Sequence, residues 1–440
     1  MRERGLKRDI GLTGSAFLSF NGIVGAGIFA LPATLHLQFG AFSPWLFPLF
    51  GLLVLLVALP FAKLAALMPH SGGPVAYTAV FGPLASFQVG WLYYLARTAA
   101  LAANANVFAI YAAGLWAPLG TPIGRAATIL LLVGSLTLVN VVGVRRAIRA
   151  LDALTILKGL PLIGLAVWGL IEAGSAIPAP GPPPSLSAVE GAALVILYAF
   201  IGFENSVVPA GETADPKRTI PRALIATVAG TAALYFLIQL AYVAVMPAGA
   251  APAAPLAAFA EALIGPAGAL LLTATALASV AGNTCGAITS TSRVTFALTE
   301  QGSMPRWFGK VSARYATPAN SVLFMGLVIA ALALSGRFMW LAVISTLARL
   351  AVYSMSIAAL PAARRREGLR TGAGTLLLMA GGLAVCLWAA LQSRWPSWLG
   401  LAAAVAAGFL LYAIARRQAA SSAAATVSSI QPPPSTRSPS

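Results

Sequence analysis

The sequence predicts an all-α integral membrane fold of twelve transmembrane helices. Ten of them form a five-plus-five inverted repeat with discontinuous helices 1 and 6. Three observations carry that prediction. Of 440 residues, 59% are hydrophobic and only 9% charged, against about 25% charged in a soluble domain, which excludes a water-soluble globular protein. Long apolar runs continue from residue 12 to residue 415 with no polar domain between them, and a bilayer core needs about 20 apolar residues per helix. The first and sixth of these runs are interrupted by glycine near the middle.

Reading for apolar runs between charged or Pro/Gly-rich breaks places spans at 12–35, 44–68, 84–114, 123–143, 151–172, 187–211, 219–247, 257–299, 318–336, 338–361, 372–393 and 397–415. The run at 257–299 is too long for one straight crossing, so residues 255–265 are expected as a separate helix outside the membrane. A barrel would show short alternating segments, which are absent, so helices must satisfy the backbone in lipid. The first repeat covers 12–172 and the second 187–361, and helices 11 and 12 lie within 362–415. Residues 1–11 are expected as a cytoplasmic N-terminus, the Pro-rich 173–186 as an extracellular loop, and the Ser/Pro-rich 416–440 as a disordered cytoplasmic tail.

Orientation follows from the 28 Lys and Arg residues, which exceed the 11 Asp and Glu and give a formal charge of +17. Short cytoplasmic loops collect positive charge. With the N-terminus inside, only Arg125, Arg337 and Arg394 fall in outside loops, whereas groups such as Arg145, Arg146 and Arg149 or Arg364, Arg365 and Arg366 fall inside. Both termini are therefore expected in the cytoplasm, with the chain crossing the cell (inner) membrane many times. The same bias explains the charge without a nucleic-acid partner. Cys285 and Cys386 lie inside apolar runs, with neither a disulfide framework nor metal-ligand spacing, so no metal or cofactor is expected. The charged start MRERGLKRD runs directly into the first span without a cleavage pattern, so no cleavable signal is expected.

The first span reads FLSFNGIVGAGIFALP and the sixth ILYAFIGFENSVVPAGE. Gly22, Gly25 and Gly27 in the one, and Gly202 followed by Pro209 in the other, weaken the helix and let backbone approach a ligand. Matching breaks in the two halves point to a binding site at the midplane. A helix N-terminus there offers free N–H groups to a carboxylate, and freed carbonyls accept from an ammonium. An amino acid carries both groups. The substrate-binding candidates are Ile23, Val24, Gly25, Ala26 and Gly27 from the first break, and Tyr198, Ala199, Phe200, Ile201 and Gly202 from the second. The alternative is that these glycines only permit close helix packing.

Four motifs then resemble the amino acid–polyamine–organocation (APC) superfamily, over residues 10 to about 410. They are Gly22-Ile23-Val24-Gly25-Ala26-Gly27-Ile28-Phe29, Pro69-His70-Ser71-Gly72-Gly73-Pro74, Phe200-Ile201-Gly202-Phe203-Glu204 with Glu212-Thr213-Ala214-Asp215-Pro216-Lys217-Arg218-Thr219-Ile220-Pro221, and Ser292-Arg293 with Gln301-Gly302-Ser303-Met304-Pro305. The resemblance implies an amino-acid permease with a LeuT/APC-type fold, working by alternating access.

Ionisable groups at membrane depth are costly and mark function. Lys158 lies six residues beyond Asp152, about 9 Å along the helix. One reading is a lysine that snorkels to water. The other is a proton-coupling group: burial disfavours the charged ammonium, so it can take up a proton in one conformation and release it in another. Proton-coupled superfamily members resemble this chain in placing a lysine on helix 5, which implies contacts from Lys158 to the kink at Gly22 and to Asn283 and Thr284 of helix 8. Glu204, fourteen residues beyond Glu190, lies about 21 Å down span 6. It reads as a structural carboxylate or as a second proton-coupling or gating group, a role the resemblance supports. Arg97 and Arg349 are deep enough for either to neutralise it. Tyr198 and Phe200 are aromatic lid candidates or packing residues. The superfamily's aromatic position on helix 8 falls at Ala287, a departure that argues against copying the specificity of its large-cation exchangers. His36 and His70 lie at span ends and are expected in solvated loops.

No G-x-x-x-x-G-K-[ST] site for ATP is present, and H-E-x-x-H and G-x-S-x-G are absent. An intramembrane enzyme therefore lacks its machinery, and a channel would need a continuous polar lining. The expectation is a secondary transporter: proton-coupled symport of neutral L-amino acids, or exchange or export through the same site. Its partners are a small-molecule amino acid and the bilayer, with the proton as coupling ion. The sequence leaves the oligomeric state open.

Overall fold

The computed structural model describes residues 9–69, 72–143 and 158–430, with side chains to residue 421. Among them the chain is helical throughout, and the extended pairing is an isolated bridge between Ile10 and Thr213. The first span is two helices, α1 (Leu12–Ile23) and α2 (Ala26–Phe39). Then follow α3 (Leu46–Leu67), the short α4 (Pro74–Thr78), α5 (Pro83–Ala113), α6 (Pro122–Val142) and α7 (Gly159–Ala173). The second half opens with α8 (Leu186–Tyr198) and continues with α9 (Pro216–Val245), α10 (Pro255–Ile264), α11 (Pro266–Glu300), α12 (Ala319–Ser335) and α13 (Phe338–Arg366). Two further helices, α14 (Ala373–Leu391) and α15 (Trp395–Ile430), complete it. Proline opens α4, α5, α6, α9, α10 and α11, where its missing N–H and fixed φ cost nothing.

Nine helical stretches among the described residues are long and apolar enough to cross a membrane by length and composition, against twelve expected from sequence. The difference has three sources. α2 and α3 run on through the 3-10 turn Gly40–Trp45 and count as one; α12 has only 17 residues; and α5 carries Arg97, Asn104 and Asn106, which lower its hydropathy. Exposed leucines such as Leu131 and Leu377 cover the outer faces, as a surface against lipid requires.

Packing sorts the helices into two groups. α3 lies against α9, and α9 against α1 and α7, while α5 lies against α11, α12 and α6. α13 packs on α5 and also touches α8, so it borders both groups. The two breaks, in the first span and after α8, lie where the groups meet.

Three expectations need correction. The overlong run divides at Gly265 as expected, but α15 continues to Ile430, so residues 416–430 are helical and not irregular. Their sequence, RRQAASSAAATVSSI, is rich in alanine, the strongest helix former, and has no glycine or proline. His36 is not in a solvated loop: α2 runs past it to Phe39, and the imidazole is buried against Tyr242, ring centroids 5.9 Å apart. The sixth span does not resume as an α-helix below its break. After Tyr198 come turns and two 3-10 segments, Phe203–Ser206 and Ala210–Glu212, because ENSVVPAGE supplies turn formers and no helix-favouring run. His70, Ser71, residues 144–157 with Arg145, Arg146, Arg149 and Asp152, and residues 1–8 and 431–440 lie outside the described residues.

Candidate functional site

The first break is short. Val24 leaves the helical region at ψ 80° and Gly25 at ψ −144°, after which α2 starts at once with no side chain capping it. Ala26 and Gly27 therefore present N–H groups that have no partner within the helix, whereas the Gly25 N–H already donates to Ile23 O at 2.8 Å. On the other side of the gap, α1 ends in free carbonyls. Asn21 O accepts from Asn283 Nδ2 at 2.8 Å and Lys158 Nζ at 3.3 Å, and Val24 O accepts from Lys158 Nζ in a short contact.

The second break turns on Gly202. Its φ of +122° is one that side chains avoid, and a Cβ there would overlap the main chain of Gly22 and Ile23, so the two broken segments touch backbone to backbone. Its N–H, lost to the helix, donates to Glu204 Oε2 at 3.0 Å. Ser19 Oγ ties α1 to the same region by donating to Phe203 O at 2.7 Å.

Between the breaks lies a small cavity, of about 30 Å³. Six of the ten predicted substrate-binding residues line it: Ile23, Gly25, Ala26, Gly27, Tyr198 and Ile201. The other four do not. Val24 is fully buried and offers its carbonyl to Lys158; Ala199 packs on Gly27, where a Cβ would come within 3.0 Å of Ala199 Cα; Gly202 is sealed against Gly22. Phe200 points away, packing 5.9 Å from Tyr235 and 6.4 Å from Phe47. The reason is the turn after Tyr198, closed by Ile201 N–H donating to Tyr198 O at 3.2 Å, which brings Tyr198 and Ile201 to one side and leaves Ala199 and Phe200 on others.

Tyr198 combines its two readings. Its ring packs edge-on against Phe338 at 5.6 Å while its hydroxyl donates to Ala100 O at 3.4 Å and Asn104 Oδ1 at 3.5 Å beside the cavity. Lys158 is buried and does not snorkel. Its partners are Asn21, with Oδ1 at 3.0 Å, and Val24, not Gly22. Asn283 meets it only through the shared Asn21 carbonyl, and Thr284 instead accepts from Asn104 at 3.5 Å. The cause is the direction of the kink: the carbonyls at 21 and 24, one turn apart, face α7, while Gly22 faces Gly202 and Asn205.

Glu204 pairs with Arg349, Nη1 to Oε1 at 3.6 Å, and accepts from Tyr353 OH at 2.9 Å, all three buried. Arg97 takes neutral partners: Asn205 Oδ1 at 3.0 Å, Thr291 Oγ1 at 3.3 Å and Ser290 Oγ at 3.5 Å. Both guanidinium-bearing residues line the cavity, together with Asn104, Asn283 and Ala287. Asn21, Asn104, Asn205 and Tyr353 were not singled out from sequence. The available signal was the rarity of asparagine in apolar spans, since an amide at membrane depth must find a partner.

Comparison with known proteins adds four findings. The family described as Amino acid permease matches residues 10–430. An uncharacterized transporter of Mycobacterium tuberculosis (strain ATCC 25618 / H37Rv) is 29% identical over 428 residues, covering 93% of this chain and 92% of the relative. The L-methionine/branched-chain amino acid exporter YjeH of Escherichia coli (strain K12) is 30% identical over 228 residues, 50% of this chain and 53% of its own length. Among solved structures, the crystal structure of MhsT in complex with L-phenylalanine is similar in fold, with a TM-score of 0.62 at 15% identity over 89% of this chain and 100% of that one.

Proposed function

The chain belongs to the amino acid permease family, and from that premise we propose that it is a secondary active transporter carrying an L-amino acid together with a proton across the cell (inner) membrane, both termini cytoplasmic. The substrate's α-carboxylate meets the N–H groups of Ala26 and Gly27, where the start of α2 adds partial positive charge. Its ammonium meets the carbonyls freed at the end of α8. Transport then alternates access by rocking α1, α2, α3, α8 and α9 against α5, α6, α11 and α12.

The observation that carries the coupling is the contact of Lys158 with the carbonyls of Asn21 and Val24. A protonated ammonium binds the negative end of α1 and ties it to α7; a neutral amine holds it less firmly. Protonation and the position of the first break are then linked, and a substrate held at the same break shares that linkage. Glu204, already bonded to Arg349, Tyr353 and Gly202, acts in this reading as a brace for the second break.

Reconstitution in liposomes tests the proposal. An imposed inside-alkaline gradient drives accumulation by the parent protein. Lys158→Ala retains substrate counterflow but loses gradient-driven accumulation, and normal accumulation by that variant contradicts the coupling role. Exchange or export through the same site is the second reading, supported by the relative that is an exporter. Counterflow that proceeds equally with and without the gradient, and no net accumulation, favours it.

A further inference from the structure

We propose that the central cavity takes an amino acid bearing a second carboxylate, of aspartate or glutamate size, and that Arg97 receives that side-chain carboxylate. The inference rests on the cavity being the transport site.

The argument begins with charge. Among the described residues the buried Lys and Arg side chains are Arg97, Lys158 and Arg349, and the buried carboxylate is Glu204. Each cation is balanced differently. Arg349 has Glu204 at 3.6 Å. Lys158 has the carbonyl end of α1, where the helix carries partial negative charge. Arg97 has only neutral acceptors, Asn205, Thr291 and Ser290, with the Tyr93 ring 5.9 Å away. A guanidinium without a counter-charge at membrane depth is expensive to keep.

Position supplies the rest. Arg97 lines the cavity, and the lining contains no carboxylate. Negative charge reaching Arg97 from inside the cavity must therefore come with the ligand. A zwitterion brings one carboxylate, for which the N–H groups of Ala26 and Gly27 are suited, and leaves Arg97 unmatched. A second carboxylate matches it, because the planar guanidinium accommodates a carboxylate through two parallel bonds. On α5, Arg97 and Asn104 stand seven residues apart on one face, about 10 Å of rise. Asn104 sits beside Gly25, whose Cβ would lie 3.9 Å from Asn104 Oδ1. Arg97 and the start of α2 thus stand apart along the lining of one cavity, as the two carboxylates of one ligand require. The expectation of a neutral substrate came from counting charges along the sequence, which does not separate the Arg349–Glu204 pair from Arg97.

The experiment compares each acid with its own amide, which has nearly the same shape. Purified protein in liposomes is assayed for binding and uptake of L-glutamate, L-glutamine, L-aspartate, L-asparagine and L-leucine. The acid should outcompete its amide by at least about tenfold, the scale of a buried polar group left unpaired by the wrong ligand. Arg97→Gln should bring acid and amide to parity, and Arg97→Lys should keep part of the preference. The comparison in the parent protein stands even if a variant fails to fold. Equal or tighter binding of the amide or of leucine by the parent, or an intact acid preference in Arg97→Gln, overturns the inference while leaving amino-acid transport in place. Absence of binding and uptake for all five removes the transport reading together with this one.

Discussion

The two broken regions solve opposite halves of one problem. At the first, α1 ends in carbonyls, and the chain supplies donors: Lys158 from the start of α7 and Asn283 from α11. At the second, the helix loses an N–H at Gly202, and the chain supplies an acceptor, the Glu204 carboxylate, held by Arg349 and Tyr353. Unwound backbone in a membrane survives only where protein groups replace the missing helical bonds. The sign of the replacement follows which backbone group is exposed. The breaks also differ in extent: α2 resumes after two residues, whereas turns occupy the 199–212 region after α8.

Substitutions at the two sites should therefore differ in size. Gly202→Ala should have the largest effect. It forces a side chain into a positive-φ region, a strain of about 1–3 kcal/mol, and adds a clash with the main chain of Gly22. Loss of monodisperse protein on size exclusion is the expected readout, whereas Gly25→Ala, with no atom nearer than 3.9 Å, should stay folded. Next comes Glu204→Gln, which leaves Arg349 buried and unpaired at a cost of about 3–5 kcal/mol. A thermal melt should show the drop, and adding Arg349→Met should recover part of it. If the double variant is no better than the single one, the pair is not what braces the second break.

Lys158→Met should cost less, about 1–3 kcal/mol, because it leaves no buried charge unpaired: Asn283 still bonds the Asn21 carbonyl, and the acceptors that lose their donor, Val24 O and Asn21 Oδ1, are neutral. A drop equal to that of Glu204→Gln would contradict the difference drawn between the two breaks. Tyr353→Phe is the mildest, about 1 kcal/mol for one hydrogen bond, since Gly202 N–H and Arg349 remain on Glu204. The same melts in detergent rank all four.

The breaks were legible because glycine and proline are local signals, and Gly22, Gly25, Gly27 and Gly202 mark them in the chain itself. Depth was legible too, since residues along a helix convert directly to ångströms; Lys158, Glu204, Arg97 and Arg349 are all buried. Azimuth was not. Counting along a span cannot say whether Arg97 or Arg349 faces Glu204, or that Phe200 turns toward Tyr235 while Tyr198 turns inward. Those outcomes depend on how neighbouring helices are rotated, which packing decides. Asn21, Asn104, Asn205 and Tyr353 went unnoticed for a related reason: a single polar residue in an apolar run becomes meaningful only when its partner, far away in sequence, is known.

A cryo-EM map of the protein saturated with a transported amino acid addresses the central claim most directly. Ligand density should fill the space between Gly25–Gly27 and Tyr198–Ile201, with a carboxylate against the first N–H groups of α2. Density at any other location, or continuous helix through residues 24–25 and 199–202, would contradict the account.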